Sequence, residues 1–414
     1  MIPNTIMKIA VISDSHLGFG YGTEKENDSF AQFDEAMGRA IAEKVDLILL
    51  PGDIFDSRVP RQEVWAKALT IFQKPLLAGK NGVTVVQKIN KQEISPITFS
   101  GIPVVAIHGT HERRGAHTIN PVEMLEKAGF LIHLHFSGVV FEKGGERVCI
   151  QGISAVPESY AKQEFAKFKL APVVGAKNIL MLHQSIAGQV YSEDEQSILQ
   201  LEDLPDGFDL YIDGHIHAKT MLGGHKKVLL PGSTIITQQK KNEAGNKKGF
   251  HIIDTNGWGM NFYALQTQRP FYYVELNFQK APVADVVKRA RERIGEIASK
   301  GEKNKPLIFI KLLGDLEQGK EASNVREDQI SKGFNAFVTV SNELQAEDFR
   351  KKIERLRERQ QKRMSVDDMG MELLKKALVG TKIENLPIDE LIDELASGNT
   401  DSVIKKVVKD FEKS

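Results

Sequence analysis

At 414 residues, with 41% apolar and 27% charged side chains and no formal net charge, the chain is too long for one ordinary core and too balanced for a disordered tail or a membrane protein. It is also not a uniformly basic nucleic-acid binder, so any surface for nucleic acid must be a local patch. The single Cys149, inside the strand-like run Arg147-Val148-Cys149-Ile150, excludes a disulfide framework and a cysteine metal site and suits a reducing cytosol. With no secretory leader and no long apolar span in the sequence, a cytoplasmic protein without a membrane segment is expected.

In chain order, Lys8 to Ile12 reads as a buried strand that ends in Ser13-Asp14-Ser15-His16. Asp14 and His16 share one face there and suit a divalent metal. The glycines of Gly18-Phe19-Gly20-Tyr21-Gly22 do not fit a dinucleotide fingerprint, and a carboxylate stands where a pyrophosphate would approach. A helix follows over roughly Ser29 to Glu43, then a second buried strand, Asp46 to Leu50, closed by Pro51-Gly52-Asp53-Ile54-Phe55-Asp56. Gly52 permits a sharp turn, from which Asp53 projects two oxygens that could bridge two cations, or simply cap a turn; Asp56 reads as a support. The stretch from about Lys74 to Ser100 carries no assignable pattern.

A third strand, Ile102 to Ile107, runs into His108-Gly109-Thr110-His111-Glu112-Arg113-Arg114. His183 follows another apolar run, and Phe208 to Asp213 feeds the glycine turn Gly214-His215-Ile216-His217. A His-x-His pair alone also arises on a solvated strand face. Several strand ends offering carboxylate or imidazole are more informative, because the carboxyl ends of strands in an α/β sheet form one rim where ligands collect. His133 and His135 alternate along a strand without a glycine turn and read as a packed or solvated face, as do His108, His117, His225 and His251. Arg58, Arg113 and Arg114 flank the motif loops and are either surface charge or contacts for a DNA backbone.

Asp14-x-His16, Gly52-Asp53, Gly109-x-His111-Glu112, His183 and Gly214-His215-x-His217, in this order, resemble the five motifs of the calcineurin-like metallophosphoesterases. Within that superfamily, Gly52 to Arg58, Leu182-His183-Gln184 and Pro231-Gly232-Ser233-Thr234 are similar to the nuclease subunit of double-strand-break repair complexes, the meiotic-recombination-eleven family. The resemblance is strong over about residues 7 to 270. It implies a four-layer αββα sandwich with two divalent ions, most commonly manganese, that hydrolyses DNA phosphodiesters as exonuclease and endonuclease. Carried over by position, Asp14, His16, Asp53 and His217 would surround one ion, and Asp53, His183 and His215 the other. His111 matches the family's catalytic histidine. Thr110 departs from the pattern, since the family usually has a metal-ligating asparagine there.

The Arg269-Pro270 break suggests a nuclease domain over 1–270 and a second unit over 271–344 that reads strand, helix, strand: Phe271 to Phe278, Ala281 to Lys300, Pro306 to Leu312. The resemblance makes this unit a cap that orients duplex DNA. Beyond it, residues 345–414 are helical and charged, with eight basic side chains between Arg350 and Arg363 against Glu354 and Glu358 and only a thin apolar stripe. The family uses this tail to bind an ABC-type coiled-coil ATPase, the radiation-sensitive-fifty partner, and forms homodimers. No G-x-x-x-x-G-K-[ST] stretch occurs, so ATP hydrolysis would belong to that partner. A small-molecule phosphodiesterase or phosphatase on the same metal core, or a scaffold weakened by Thr110, are the alternatives.

Overall fold

The computed structural model describes residues 6–115, 118–167, 170–186, 199–346, 400 and 403–404. Its first unit comprises Met1–Tyr273, Ile297–Phe309 and Asn335–Phe337. Within it lie strands β1 (Lys8–Val11), β2 (Leu47–Pro51), β3 (Thr84–Ile89), β4 (Val104–Ile107), β5 (Ile132–His133), β6 (Ser137–Lys143), β7 (Glu146–Ile153), β8 (Lys177–Leu182), β9 (Leu210–Asp213), β10 (Thr220–Leu222), β11 (Val228–Leu230), β12 (Gly249–Asp254) and β13 (Met260–Ala264). The helices are α1 (Asp28–Ala42), α2 (Gln62–Leu77), α3 (Pro121–Lys127) and α4 (Glu158–Lys167).

Two sheets result, a six-stranded one in the order β13-β12-β1-β2-β4-β5 and a seven-stranded one in the order β10-β11-β9-β8-β7-β6-β3. Alternation along β1 shows why they stack. Ile9 and Val11 enter an apolar layer shared with Leu47, Leu49, Val105 and Ile107 of the first sheet and with Val139, Ile150, Ile179, Met181 and Ile212 of the second. Ala10 and Ile12 point the other way, into a core with Phe33, Met37, Ala68 and Phe72 of α1 and α2. On the far side, Leu180, Leu182, Tyr211 and Leu230 pack with Ala161 and Phe165 of α4. Every central strand is apolar on both faces, as burial on both sides requires, and the arrangement is the expected αββα sandwich.

β1, β2, β4 and β5 run parallel, and so do β7, β8, β9 and β11. Their carboxyl ends therefore open toward one rim. Helix α1 buries Phe30, Phe33, Met37 and Ala40, spaced three and four residues apart. The sequence reading does not include α2, whose buried stripe of Val64, Ala68, Ile71 and Phe72 is narrow and whose last turn contains Pro75, a residue that reads as a breaker. The unassigned stretch 74–100 holds the end of α2, a short 3₁₀ turn and the edge strand β3, which pairs with β6 and is half exposed.

The second unit comprises Val274–Glu296, Ile310–Phe334 and Val338–Ser414. The strands β14 (Phe271–Ala281), β15 (Leu307–Leu316) and β16 (Phe337–Ala346) form a three-stranded sheet, accompanied by α5 (Val283–Ala298) and the short α6 (Glu327–Ser331). The expected strand, helix and strand are present, and β16 extends the pattern. Arg291 of α5 donates to the carbonyls of Gln329 and Lys332 at 2.7 and 3.0 Å, so this basic side chain fixes a loop of its own unit. The amphipathic segments expected beyond residue 346 lie outside the described residues, apart from three single positions.

Candidate metal centre

Each motif begins one to three residues past a parallel strand, and backbone hydrogen bonds lace the resulting loops together. The 13–17 loop lies along the 52–56 loop, with His16 N–H donating to Asp53 O at 3.0 Å and Leu17 N–H to Ile54 O at 2.7 Å. Asp14, His16, Asp53 and His215 all adopt positive φ, between 44° and 72°. Four non-glycine residues in the left-handed region on one rim mark a site whose backbone is held against its own preference. Gly52 is required at φ 94° because a Cβ there would run into the His183 ring, and a Cβ on Gly214 would strike both that ring and the Pro51 carbonyl.

Three groups of side chains converge, with the ligand atoms of each within 4.8 Å of one another: Asp14, His16 and His217; His16, Asp53 and His111; and Asp53, His183 and His215. Asp53 belongs to two of them. Its Oδ1 accepts from His111 N–H at 2.8 Å, and its Oδ2 accepts from the Thr110 hydroxyl at 3.2 Å and lies 3.2 Å from His183 Nε2. Asp14 is fully buried and accepts from Ser13 Oγ and, at 3.0 Å, from His215 N–H. His183 donates through Nδ1 to Pro51 O at 2.8 Å, which leaves its buried Nε2 turned into the centre with no hydrogen bond of good geometry.

The charges fit a cation. Burial pushes Asp53 up, but His183, His16 and His111 more than offset it and hold the carboxylate well below its usual range. Burial pushes His183 down, yet Asp53 and Asp14 hold it up at about 10, so the carboxylates favour positive charge at this point. His16 Nε2 meets His217 Nε2 at 3.1 Å. Burial lowers both rings; hydrogen bonding to Asp56 and the nearby carboxylates raise His16 overall, while the neighbouring His16 depresses His217 further. Two imidazole nitrogens brought together beside buried carboxylates are a donor set for a transition-type divalent ion.

The partly exposed His111 is anchored by Nδ1, which donates to Asp56 O at 3.1 Å, and its ring stands edge-on to His16 at 4.7 Å. Asp56 Oδ1 also lies 3.2 Å from His16 Nδ1, so one residue orients both rings. Glu112 is fully buried; Phe55 N–H and Gly109 N–H donate to its two oxygens at 2.8 Å each, fastening the second motif to the third. Arg113 is lowered by burial and by the like charge of Arg58. Arg114 instead donates to Ile119 O at 3.1 Å and supports its own loop.

The remaining histidines stand apart. His108 Nδ1 lies 3.0 Å from His133 Nε2, in a buried network with Ser154 and Asn120; β5 ends at His133, so His135 is not on the same strand. His225 is exposed, His251 is buried, and His117 lies outside the described residues. Sequence reasoning missed Ser13, Thr237 and Lys248, which touch Asp14 or His217, because nothing in their local pattern distinguishes them from turn residues.

The pattern described as calcineurin-like phosphoesterase matches residues 7–219. The chain is 27% identical over 319 residues to double-strand break repair protein mre-11 of Caenorhabditis elegans, covering 67% of this chain and 43% of that one. It is 26% identical over 382 residues to MRE11 of Mus musculus, covering 80% and 51%, and 28% identical over 320 residues to DNA double-strand break repair protein Mre11 of Sulfurisphaera tokodaii, covering 74% and 73%. The chain thus spans about half the length of the first two relatives. No helix among the described residues is long and apolar enough to cross a membrane. The ordered motifs, the αββα layers and the buried His and Asp groups, which mark a divalent metal centre, agree with the pattern match: the chain belongs to the calcineurin-like phosphoesterase family.

Proposed function

We propose that the chain is a metal-dependent nuclease that hydrolyses DNA phosphodiesters, with manganese as its metal. The observation that carries this is the two buried groups, Asp14 with His16 and His217 and Asp53 with His183 and His215, linked by a third in which His16 and Asp53 meet the partly exposed His111. In this reading Asp14, His16, Asp53 and His217 hold one ion and Asp53, His183 and His215 the other. Ions held there would supply an activated water, a clamp on the phosphate and positive charge to offset the leaving oxygen.

The protein's own residues do the rest. Hydrolysis forms a bond from water oxygen to phosphorus and breaks the bond to the leaving oxygen, which must gain a proton. His111, fixed through Nδ1, can deliver it from Nε2, because a histidine proton exchanges near neutral pH. The like charge of Arg58 lowers Arg113, and an anionic phosphate bound by these side chains would offset that charge. Relatives named for double-strand break repair favour DNA over a small phosphodiester.

To the same reading belong a 1–270 nuclease domain, a 271–344 cap, a 345–414 tail that binds a coiled-coil ABC-type ATPase, a homodimer and a cytoplasmic location. The deciding experiment compares manganese-dependent cleavage of duplex DNA ends with cleavage of a chromogenic phosphodiester. Cleavage of the small ester alone would replace the nuclease by a small-molecule phosphodiesterase, and cleavage of neither would leave a scaffold.

A further inference from the structure

His217 follows β9 of the seven-stranded sheet, and it is held by residues of the segment that runs from β11 of that sheet to β12 of the other. Its Nδ1 lies 3.0 Å from Thr237 Oγ1. Its carbonyl accepts from Ser233 N–H at 3.2 Å and from Lys248 Nζ at 2.9 Å. Ser233 in turn bridges to Ser13, and Thr234 N–H donates to Ser13 O, one residue before Asp14. Lys248 immediately precedes β12, which pairs antiparallel with β1 in the register Val11 to His251 and so starts where β1 ends. The lysine is 3% exposed, and its ammonium meets Glu243 Oε2 at 2.6 Å, with Glu243 itself 6% exposed.

A buried ion pair is costly to desolvate and is weak as a stability device, so its presence here calls for another use. The contact it makes supplies one: Lys248 ties the backbone of a candidate ligand on one sheet to the first residues of a strand on the other. Thr237 acts on the same residue from the ring side. When its oxygen accepts from Nδ1–H, the tautomer is fixed and Nε2 carries the lone pair turned toward Asp14 and His16. Backbone and ring of one histidine are thus both set by the 231–248 segment, which carries none of the family's ligand motifs.

We propose that Thr237 and the Lys248–Glu243 pair are positioning residues for His217 and set the affinity of the ion that it shares with Asp14 and His16. The proposal rests on the reading of His217 as a metal ligand. It concerns only that side of the centre, since His183 and His215 have separate supports, Pro51 O for the first and the Asp14-bound backbone N–H for the second.

The test uses the full chain and manganese alone. Calorimetric titration of the unmodified protein, Thr237→Val, Thr237→Ser and the double variant Glu243→Met with Lys248→Met is read beside thermal melting of the ion-free proteins. Loss of such outer partners typically weakens a metal site about 10–100-fold. That loss is expected for one of two ions in Thr237→Val and in the double variant, with the other ion unchanged. Thr237→Ser keeps the hydroxyl and should bind as the unmodified chain does. The double variant removes both charges together, so it avoids stranding one of them; should it still fail to fold, the valine and serine variants decide alone. Unchanged affinity for both ions, or equal weakening of both, overturns the proposal. If the unmodified chain binds no manganese, the reading of the metal centre fails, and the proposal with it.

Discussion

His16 and His217, separated by 201 positions in the chain, meet through their Nε2 atoms at 3.1 Å. With the buried Asp14 they form one group whose ligand atoms lie within 4.8 Å of one another, and in the proposed reading that group holds a divalent ion. Manganese should therefore raise the melting temperature of the first unit, and a chelator should reverse the shift. At 100-fold excess over the dissociation constant the stabilisation amounts to about 2.7 kcal/mol. In His217→Ala the manganese shift should shrink; an undiminished shift would remove His217 from the ligand set.

Replacing His111 by alanine should spare folding and manganese binding yet remove most DNA cleavage. The ring is partly exposed and packs edge-on to His16, so little buried structure depends on it. Loss of general-acid help usually costs about 10²–10⁴-fold in rate. Near-normal turnover at saturating manganese would assign the proton to another group.

Thr110 spends its hydroxyl on Asp53 Oδ2, at 3.2 Å. An asparagine amide oxygen is a better neutral ligand for a hard cation, so Thr110→Asn should lower the manganese concentration for half-maximal cleavage without a comparable change in DNA affinity. Two equally tight sites in the unmodified chain, unaltered by the substitution, would show that threonine costs the centre nothing.

His251 offers a pH test away from the candidate metal centre. Burial holds its imidazole down at about 4, with Lys219 adding and the Pro231 carbonyl opposing. In the unfolded chain it titrates near about 6.5. As pH falls, the unfolded chain takes up this proton first, so the stabilisation is complete above about pH 6.5 and is lost on the way down to about pH 4. The difference amounts to on the order of 3 kcal/mol. Chemical denaturation at a series of pH values should show a shallower decline for His251→Phe than for the unmodified chain, and parallel declines would mean that other groups govern the acid transition.

The tail can be tested by truncation. A chain ending at Leu344 should keep metal-dependent nuclease activity but no longer co-purify with a coiled-coil ABC-type ATPase that the full chain captures. Equal capture by both chains would move the interface into the first 344 residues.

What the sequence by itself determined was the set of candidate ligand side chains and the layers beneath them. Asp14, Asp53, His183, His215 and His217 each follow an apolar run, and a run buried on both faces followed by a glycine or polar turn is a local signal that survives without the fold. The same locality explains why α1 was legible, with its wide apolar face, whereas α2 and β3 were not: a narrow stripe ending at Pro75 and a half-exposed edge strand carry little periodic signal. Only the tertiary structure decided which candidate ligands lie within reach of one another, that Asp56 orients two histidines at once, that Glu112 fastens one loop to another, and that Arg114 turns to Ile119. It also decided that Thr237 and Lys248 hold His217. These are contacts between different strand ends and loops, many of them remote in the chain; hydrogen bonds and ion pairs act over a few ångströms of space and leave no spacing in the chain by which to find them.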